Sequence, residues 1–189
     1  MRVGFLFNHD QIHQVAHSLP IAIALSKLDP SVEVVIATTN ELLRQEVNRL
    51  LSLDPDYARL EMVRLQPRSR LSKTTIGLLD HLVPAAKIAI YRDNLHFFRS
   101  LDALVVAEKT SALLKTRYGL KDLKLIHTRH GAGDRAVGFN KTSGAFDFVL
   151  VSGPKIYDRL LSEVGLPPNR MAVVGYPKFD LPRAAKVPA

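Results

Sequence analysis

The sequence predicts a doubly wound α/β domain, a mostly parallel Rossmann-like sheet covered by helices, and three observations predict it. Seven short apolar runs recur along the chain, and segments of helical period separate most of them. Several of the runs are apolar at every position rather than at alternate ones. Alternation would leave one face of a strand in water, whereas continuous apolarity requires helices on both faces of a parallel sheet.

Taken in order, Arg2 to Phe7 is rich in strand formers, and His9 to Leu28 carries helical spacing. Val32 to Ala37 repeats the strand signal. Glu41 to Leu53 is amphipathic, with Leu42, Leu43, Val47, Leu50 and Leu51 expected on one side and Asn40 as its N-cap. Leu60 to Leu65 is the third strand, followed by a basic polar loop holding Arg68, Arg70 and Lys73. A long helical stretch is expected from about Thr75 to Phe98, kinked or broken at Pro84. Asp102 to Ala107, Leu123 to Thr128, Phe146 to Val151 and Met171 to Val174 are the remaining strands, with helical segments beginning at Ser111 and Pro154. The loops bearing Asn8 and His9, Glu108, His130, and Ser152 with Gly153 then fall at the carboxyl ends of strands 1, 4, 5 and 6. In open α/β sheets that edge holds the ligand crevice.

At 189 residues and 47% hydrophobic, the chain can bury one substantial core. No apolar run reaches the roughly 18 to 20 residues of a spanning helix, and Asn8, His9 and Asp10 interrupt the N-terminal apolar stretch where a signal peptide would continue. The expected compartment is the cytoplasm. Zero cysteines exclude disulfides and thiolate chemistry in this segment. The formal charge of +8 favours anionic partners.

Ile126-His127-Thr128-Arg129-His130-Gly131-Ala132-Gly133-Asp134-Arg135 is the most informative stretch, because an apolar run ends in a histidine followed at once by glycines. Glycine lets a substrate approach the backbone closely. The first strand leads into Asn8-His9-Asp10-Gln11 without a glycine, so the dinucleotide fingerprint is absent, and no Gly-Lys-Ser/Thr phosphate loop occurs. Ser152 lacks the glycine two residues upstream that a nucleophile elbow has, which argues against hydrolase chemistry.

The run from His130 to Arg135, then Phe146-Asp147-Phe148-Val149-Leu150-Val151-Ser152, then Gly175-Tyr176-Pro177-Lys178-Phe179-Asp180, resembles the CDP-glycerol glycerophosphotransferase family of GT-B-fold transferases. Arg135 stands where lysine is frequent in that family, and Lys178 where arginine is frequent; both keep a positive charge. The resemblance implies a Rossmann-like acceptor domain over residues 1–180 and a linker over 181–189 leading to a C-terminal donor domain. It also implies transfer from CDP-glycerol or a nucleotide sugar to a hydroxyl of a cell-envelope polymer or lipid-linked acceptor. No cofactor and no metal ligands are expected from the residues themselves. The alternatives are a UDP-sugar 2-epimerase or other GT-B sugar enzyme, and a non-catalytic acceptor-binding module that pairs with a separate donor-binding chain.

On that reading His130 is the general base, titrating near neutral pH. Gly131 and Gly133 leave room for substrate, Arg135 holds its phosphate or carboxylate, and Asn8, His9 and Ser152 are further acceptor contacts. The bland alternative for His130 is a strand-end ring bonded to a neighbouring carbonyl. His9, His13 and His17 fall four apart and would share one helix face, which invites a zinc reading, but the His-Glu-x-x-His arrangement is missing. Ser152 is also a candidate cap for the helix beginning at Pro154. Arg64, Arg68, Arg70, Lys73 and Lys87 form a basic region suited to an anionic membrane surface or simply to solvent. Nucleic acid is not an expected partner, since no recognition motif accompanies the charge and tryptophan is absent. Tyr91, Phe97 and Phe98 are expected in the core, and Tyr176-Pro177 in the closing turn.

Overall fold

Val3, Phe5 and Phe7 of the first strand belong to one buried cluster and Leu6 to another, because successive side chains of a strand leave it on opposite faces. That alternation places the strand in the middle of a sheet with helices on either side. The computed structural model describes residues 1–9, 11–53, 60–67, 83–129, 139 and 141–181. Among the described residues, seven parallel strands form one sheet: β1 (Arg2–Phe7), β2 (Glu33–Thr38), β3 (Glu61–Arg64), β4 (Ala103–Val106), β5 (Lys124–Thr128), β6 (Phe148–Val151) and β7 (Met171–Val173). Their order is β3-β2-β1-β4-β5-β6-β7.

The chain therefore winds outward from β1 to one edge, then returns to the centre and winds to the other. The reversal falls between β1 and β4, which pair from Val3 with Ala103 to Leu6 with Val106. Gly4 is needed in this ladder, because a Cβ there would lie 2.6 Å from Leu101 Cδ1 and 3.0 Å from Leu104 Cδ1. Both leucines are buried.

On one face, α1 (Leu19–Leu28) and α2 (Glu41–Leu51) cover β1 and β2 with Leu19, Ala22, Leu43, Val47 and Leu50. On the other, α3 (Val83–Asp93), α4 (Leu95–Arg99), α5 (Leu113–Thr116) and α6 (Pro154–Arg159) contribute Tyr91, Phe97, Phe98, Leu114 and Ile156. Fully burying a side chain of that size is worth about 1.5–3 kcal/mol, so these faces hold the sheet in its layers. Asn40 caps α2 as expected, its Oδ1 accepting the Leu43 N–H at 2.8 Å.

Four local expectations are corrected. The stretch from His9 to Leu28 is not one helix: residues Ile12–His17 form a 3-10 helix, and α1 starts only after Ser18, whose backbone leaves helical values. Leu42 is 59% exposed, so the buried stripe of α2 is narrower than its leucines suggest. Pro84 lies in the first turn of the described part of α3, where a missing N–H is tolerated. The break falls instead at Asn94, whose Nδ2 donates to the Ile90 and Gln66 carbonyls. Ser152 does not cap α6; Gly153 holds the N-cap position, without a side-chain cap, and Pro154 begins the helix. Residues 68–82, with the expected basic loop and the start of the long helix, lie outside the described residues, as do 182–189.

Two polar clamps set the strand ends. At the amino edge the Arg2 guanidinium donates to Glu33 Oε1 at 2.7 Å, to Glu61 Oε2 at 2.9 Å and to Ser100 Oγ at 2.6 Å, while its backbone N–H donates to Asp102 Oδ2. Between β5 and β6, Asp147 Oδ2 accepts from Lys115 Nζ and, at 2.7 Å, from the Leu125 N–H. Burial alone would raise the Asp147 carboxyl, but these hydrogen bonds outweigh it and hold it below the ordinary carboxylate range.

Candidate functional site

The carboxyl ends of β1 and β4 lie side at the reversal of strand order, and the residues that follow each strand converge there. After β1 come Asn8 and His9, both buried. After β4 come Glu108 and the 3-10 turn Lys109–Ala112. From above, α3 adds Lys87 and Tyr91, one helical turn apart on its buried side.

Tyr91 is the hub of the uncharged part. Its hydroxyl accepts from Asn8 Nδ2 at 2.7 Å and lies 3.2 Å from Ser111 Oγ and 3.4 Å from Thr110 Oγ1. Burial raises its phenol above the ordinary range, so it stays neutral at physiological pH. Asn8 Oδ1 is buried and faces no hydrogen-bond partner among the described residues. An unmet buried acceptor costs about 1–3 kcal/mol, so Asn8 is held by its surroundings in a position suited to a donor from outside.

The charged part centres on Glu108. Its Oε1 lies 3.7 Å from His9 Nδ1 and its Oε2 3.6 Å from Lys87 Nζ. The His9 side chain is fully buried, while that of Glu108 is 22% exposed. Glu108 is thus more exposed than the His9 side chain beside it. Lys87, assigned from sequence to a basic surface, is buried in this site, and Arg64 of that surface pairs with Glu41 at 3.0 Å.

A second feature lies further along the same edge, at the ends of β5, β6 and β7. Thr128, Arg129, Ser152, Gly175, Tyr176 and His17 line a narrow crevice of about 20 Å³. Gly175 takes a φ of 75°, a left-handed turn that brings Tyr176 back over the edge, where its ring packs 5.2 Å from that of His17. Ser152 sits in this crevice, at the end of β6 and so two strand positions from β4, whose end carries Glu108. His127 is structural: its Nε2 lies 3.0 Å from the Ala107 carbonyl, and its ring stacks on Phe146 at 4.6 Å.

His130, Gly131, Gly133 and Arg135 lie outside the described residues; the chain is described up to Arg129 and again at Phe139. His9 lies before the 3-10 helix Ile12–His17; within it, the rings of the exposed His13 and the buried His17 lie 6.5 Å apart, edge to face. Among the described residues no three His, Cys, Asp or Glu side chains gather to hold a metal ion.

The fold is the Rossmann-like half-domain of the GT-B class. The chain matches an MnaA–UDP complex from S. aureus over 100% of its own length and 49% of that protein, with a TM-score of 0.63 at 14% identity. It matches a putative UDP-N-acetylglucosamine 2-epimerase from Listeria monocytogenes over 95% of itself and 45% of that chain (TM-score 0.58, 17% identity). It matches MurG from Acinetobacter baumannii over 98% of itself and 47% of that chain (TM-score 0.53, 14% identity). The chain thus spans about half the length of the solved structures it matches. No family model and no curated protein matches it in sequence.

Lys87 and Tyr91 are the residues of this cluster that the sequence reading placed elsewhere, on a basic surface and in the core; the loop bearing Glu108 it placed at this edge. The signal was present: lysine and tyrosine four apart on an otherwise apolar helix face, and an acid directly after a fully apolar strand.

Proposed function

We propose that this chain is the acceptor-side half of a GT-B-type transferase, which moves a glycerol phosphate or a sugar from a nucleotide-activated donor to a hydroxyl of a cell-envelope polymer or lipid-linked acceptor. One observation carries the reading: the buried His9 and Lys87 flank the partly exposed Glu108, and the buried Asn8 and Tyr91 bond each other, at the point where strand order reverses. A structural core has no use for so many polar groups at the one edge where α/β sheets bind ligands. The half-domain neighbours include proteins whose structures hold UDP, or UDP and glucose. The motif order from His130 to Asp180 supports a CDP-alcohol or nucleotide-sugar donor.

The chemistry divides as follows. The acceptor oxygen forms a bond to the donor's phosphorus or anomeric carbon, and the bond from that atom to the leaving phosphate oxygen breaks, releasing a nucleoside mono- or diphosphate. The acceptor proton passes to a base. His130, one residue beyond Arg129, is the proposed base, and Gly131, Gly133 and Arg135 are the proposed contacts beside it. Glu108 orients the acceptor hydroxyls, held by His9 and Lys87, while Asn8 Oδ1 accepts a hydrogen bond from one of them. The donor nucleotide is assigned to a second domain beyond this chain.

Turnover of CDP-alcohols and UDP-sugars by the longest native polypeptide containing these residues tests the proposal. His130→Ala is expected to lower kcat by about 100-fold or more with the fold intact. Glu108→Gln is expected to raise KM for the acceptor, by roughly tenfold. Epimerisation of a UDP-sugar without transfer would replace the reading by the 2-epimerase one. No turnover by any folded form would leave an acceptor-binding module.

A further inference from the structure

At the amino ends of β4 and β5, across the sheet from the Glu108 group, the surface sinks into a depression of about 310 Å³. That volume lies within the range of small-molecule sites. Two segments wall it: the end of α4, with Phe98 and Arg99 and then Leu101, and the turn over residues 119–123 that leads from α5 into β5. Because β4 and β5 are parallel neighbours, the segments that feed them arrive side by side. Phe98, Leu101 and Leu123 are buried and give the depression an apolar floor, while Arg99, Lys121 and Asp122 stand exposed around it.

Cations near a helix end often have a structural use, bonding the last carbonyls. Here backbone groups already fill that role. The Phe97 carbonyl accepts from the Ser100 N–H and hydroxyl, that of Phe98 from the Leu101 N–H, that of Lys115 from the Gly119 N–H and that of Gly119 from the Lys121 N–H. Among the described residues, the side chains of Arg99, Lys121 and Asp122 form no hydrogen bond and no ion pair, although the last two are adjacent in the chain. Elsewhere on this surface arginine takes a carboxylate where one is in reach: Arg2, Arg44, Arg49 and Arg64 each hold one at 2.7–3.0 Å. An anion alone would meet Asp122 as a repulsion, and a cation alone would meet Arg99 and Lys121. A molecule bearing an anionic group and a hydrogen-bond donor satisfies all three, the guanidinium fork and the ammonium facing its oxygens and Asp122 accepting from its donor.

We propose that Arg99, Lys121 and Asp122 form a second binding site, at the amino end of the sheet, for a small phosphate or carboxylate compound that also carries an ammonium or hydroxyl donor. The four residues of β4, at about 3.3 Å each, separate it from the Glu108 group. A ligand here therefore leaves the transfer edge open, and the site stands whether or not the chain is half of a transferase.

Backbone-amide NMR of the isotope-labelled 189-residue chain, titrated with phosphoethanolamine, glycerol 3-phosphate, serine, inorganic phosphate and ethanolamine, tests the site without any turnover. The amide signals of Arg99 and of residues 119–123 are expected to shift with at least one of the first three compounds, more weakly with inorganic phosphate, and not with ethanolamine. Arg99→Gln and Lys121→Gln are each expected to weaken that binding roughly tenfold. Asp122→Asn is expected to bring inorganic phosphate within about twofold of the preferred compound, an effect that a seat for any anion would not show. All three side chains are exposed, so the variants are expected to keep the wild-type circular dichroism spectrum. Preference for phosphoethanolamine, glycerol 3-phosphate or serine names the anionic group and the donor, and each of these results supports the site. Absence of shifts at these amides, affinities unchanged in the variants, or inorganic phosphate bound as tightly as the best of the three overturns it. The transferase reading falls separately, by the turnover assay.

Discussion

Asn8 Nδ2 donates to the Tyr91 hydroxyl at 2.7 Å, joining the loop after β1 to a helix 83 residues further along the chain. Removing the hydroxyl strands a buried amide donor and loosens Ser111 and Thr110 on the β4 side. Tyr91→Phe is expected to cost about 1–2 kcal/mol in urea unfolding. In a double-mutant cycle with Asn8→Ala the two losses should fall short of additivity by about 1 kcal/mol. Strict additivity would show that the bond is not energetically coupled.

Asp147 gives a pH-dependent prediction. Its carboxyl is held below the ordinary value of 3.8 in the folded chain, so its contribution is present above that value and is lost as pH falls through the folded-state value. Asp147→Ala is expected to destabilise by roughly 1–3 kcal/mol at pH 7, through the loss of the Lys115 and Leu125 contacts. The gap between wild type and variant should shrink once the pH drops below about 4. A gap that stayed constant from pH 7 to pH 3 would contradict the assignment.

Gly4→Ala forces a methyl group against Leu101 and Leu104, inside the seam between β1 and β4. A cost of about 1–3 kcal/mol is expected, since neither leucine can move without repacking its cluster. Thermal unfolding measures it, and an unchanged Tm would mean that the leucines repack freely.

Asn40→Ala removes the side-chain acceptor of the Leu43 N–H at the start of α2. The expected loss is about 1 kcal/mol, with Asn40→Asp retaining most of the stability. A full loss in Asn40→Asp would point to a role for the amide beyond capping.

The central strands were legible because a parallel strand buried on both faces is apolar throughout, whereas the edge strand β3, Glu-Met-Val-Arg with exposed ends, was legible only from its flanking apolar residues. The polar site was legible only in part. Asn8 and His9 declare themselves by following β1, but Tyr91 and Lys87 come from a helix whose apolar face hides them until β1 and β4 are set side by side. The four-residue spacing of His9, His13 and His17 does not put all three on one face, because His9 precedes the helix and Ile12–His17 is 3-10, with about three residues per turn. Leu42 misled because hydrophobic content alone does not say which residues face the sheet.

The reversal of strand order also has a temporal side. Arg2 leaves the ribosome early, yet the partner of its backbone N–H, Asp102, is 100 residues away. The first three strands can only form a sheet with β1 as an open rim, its apolar residues and backbone groups facing no neighbour until the second half has been synthesised. Arg2, which already ties Glu33 and Glu61 together within that early half, makes the waiting edge more orderly than it would otherwise be. Slow synthesis, or a chain cut shortly before β4, should therefore favour aggregation through β1 far more than a cut after β6 would.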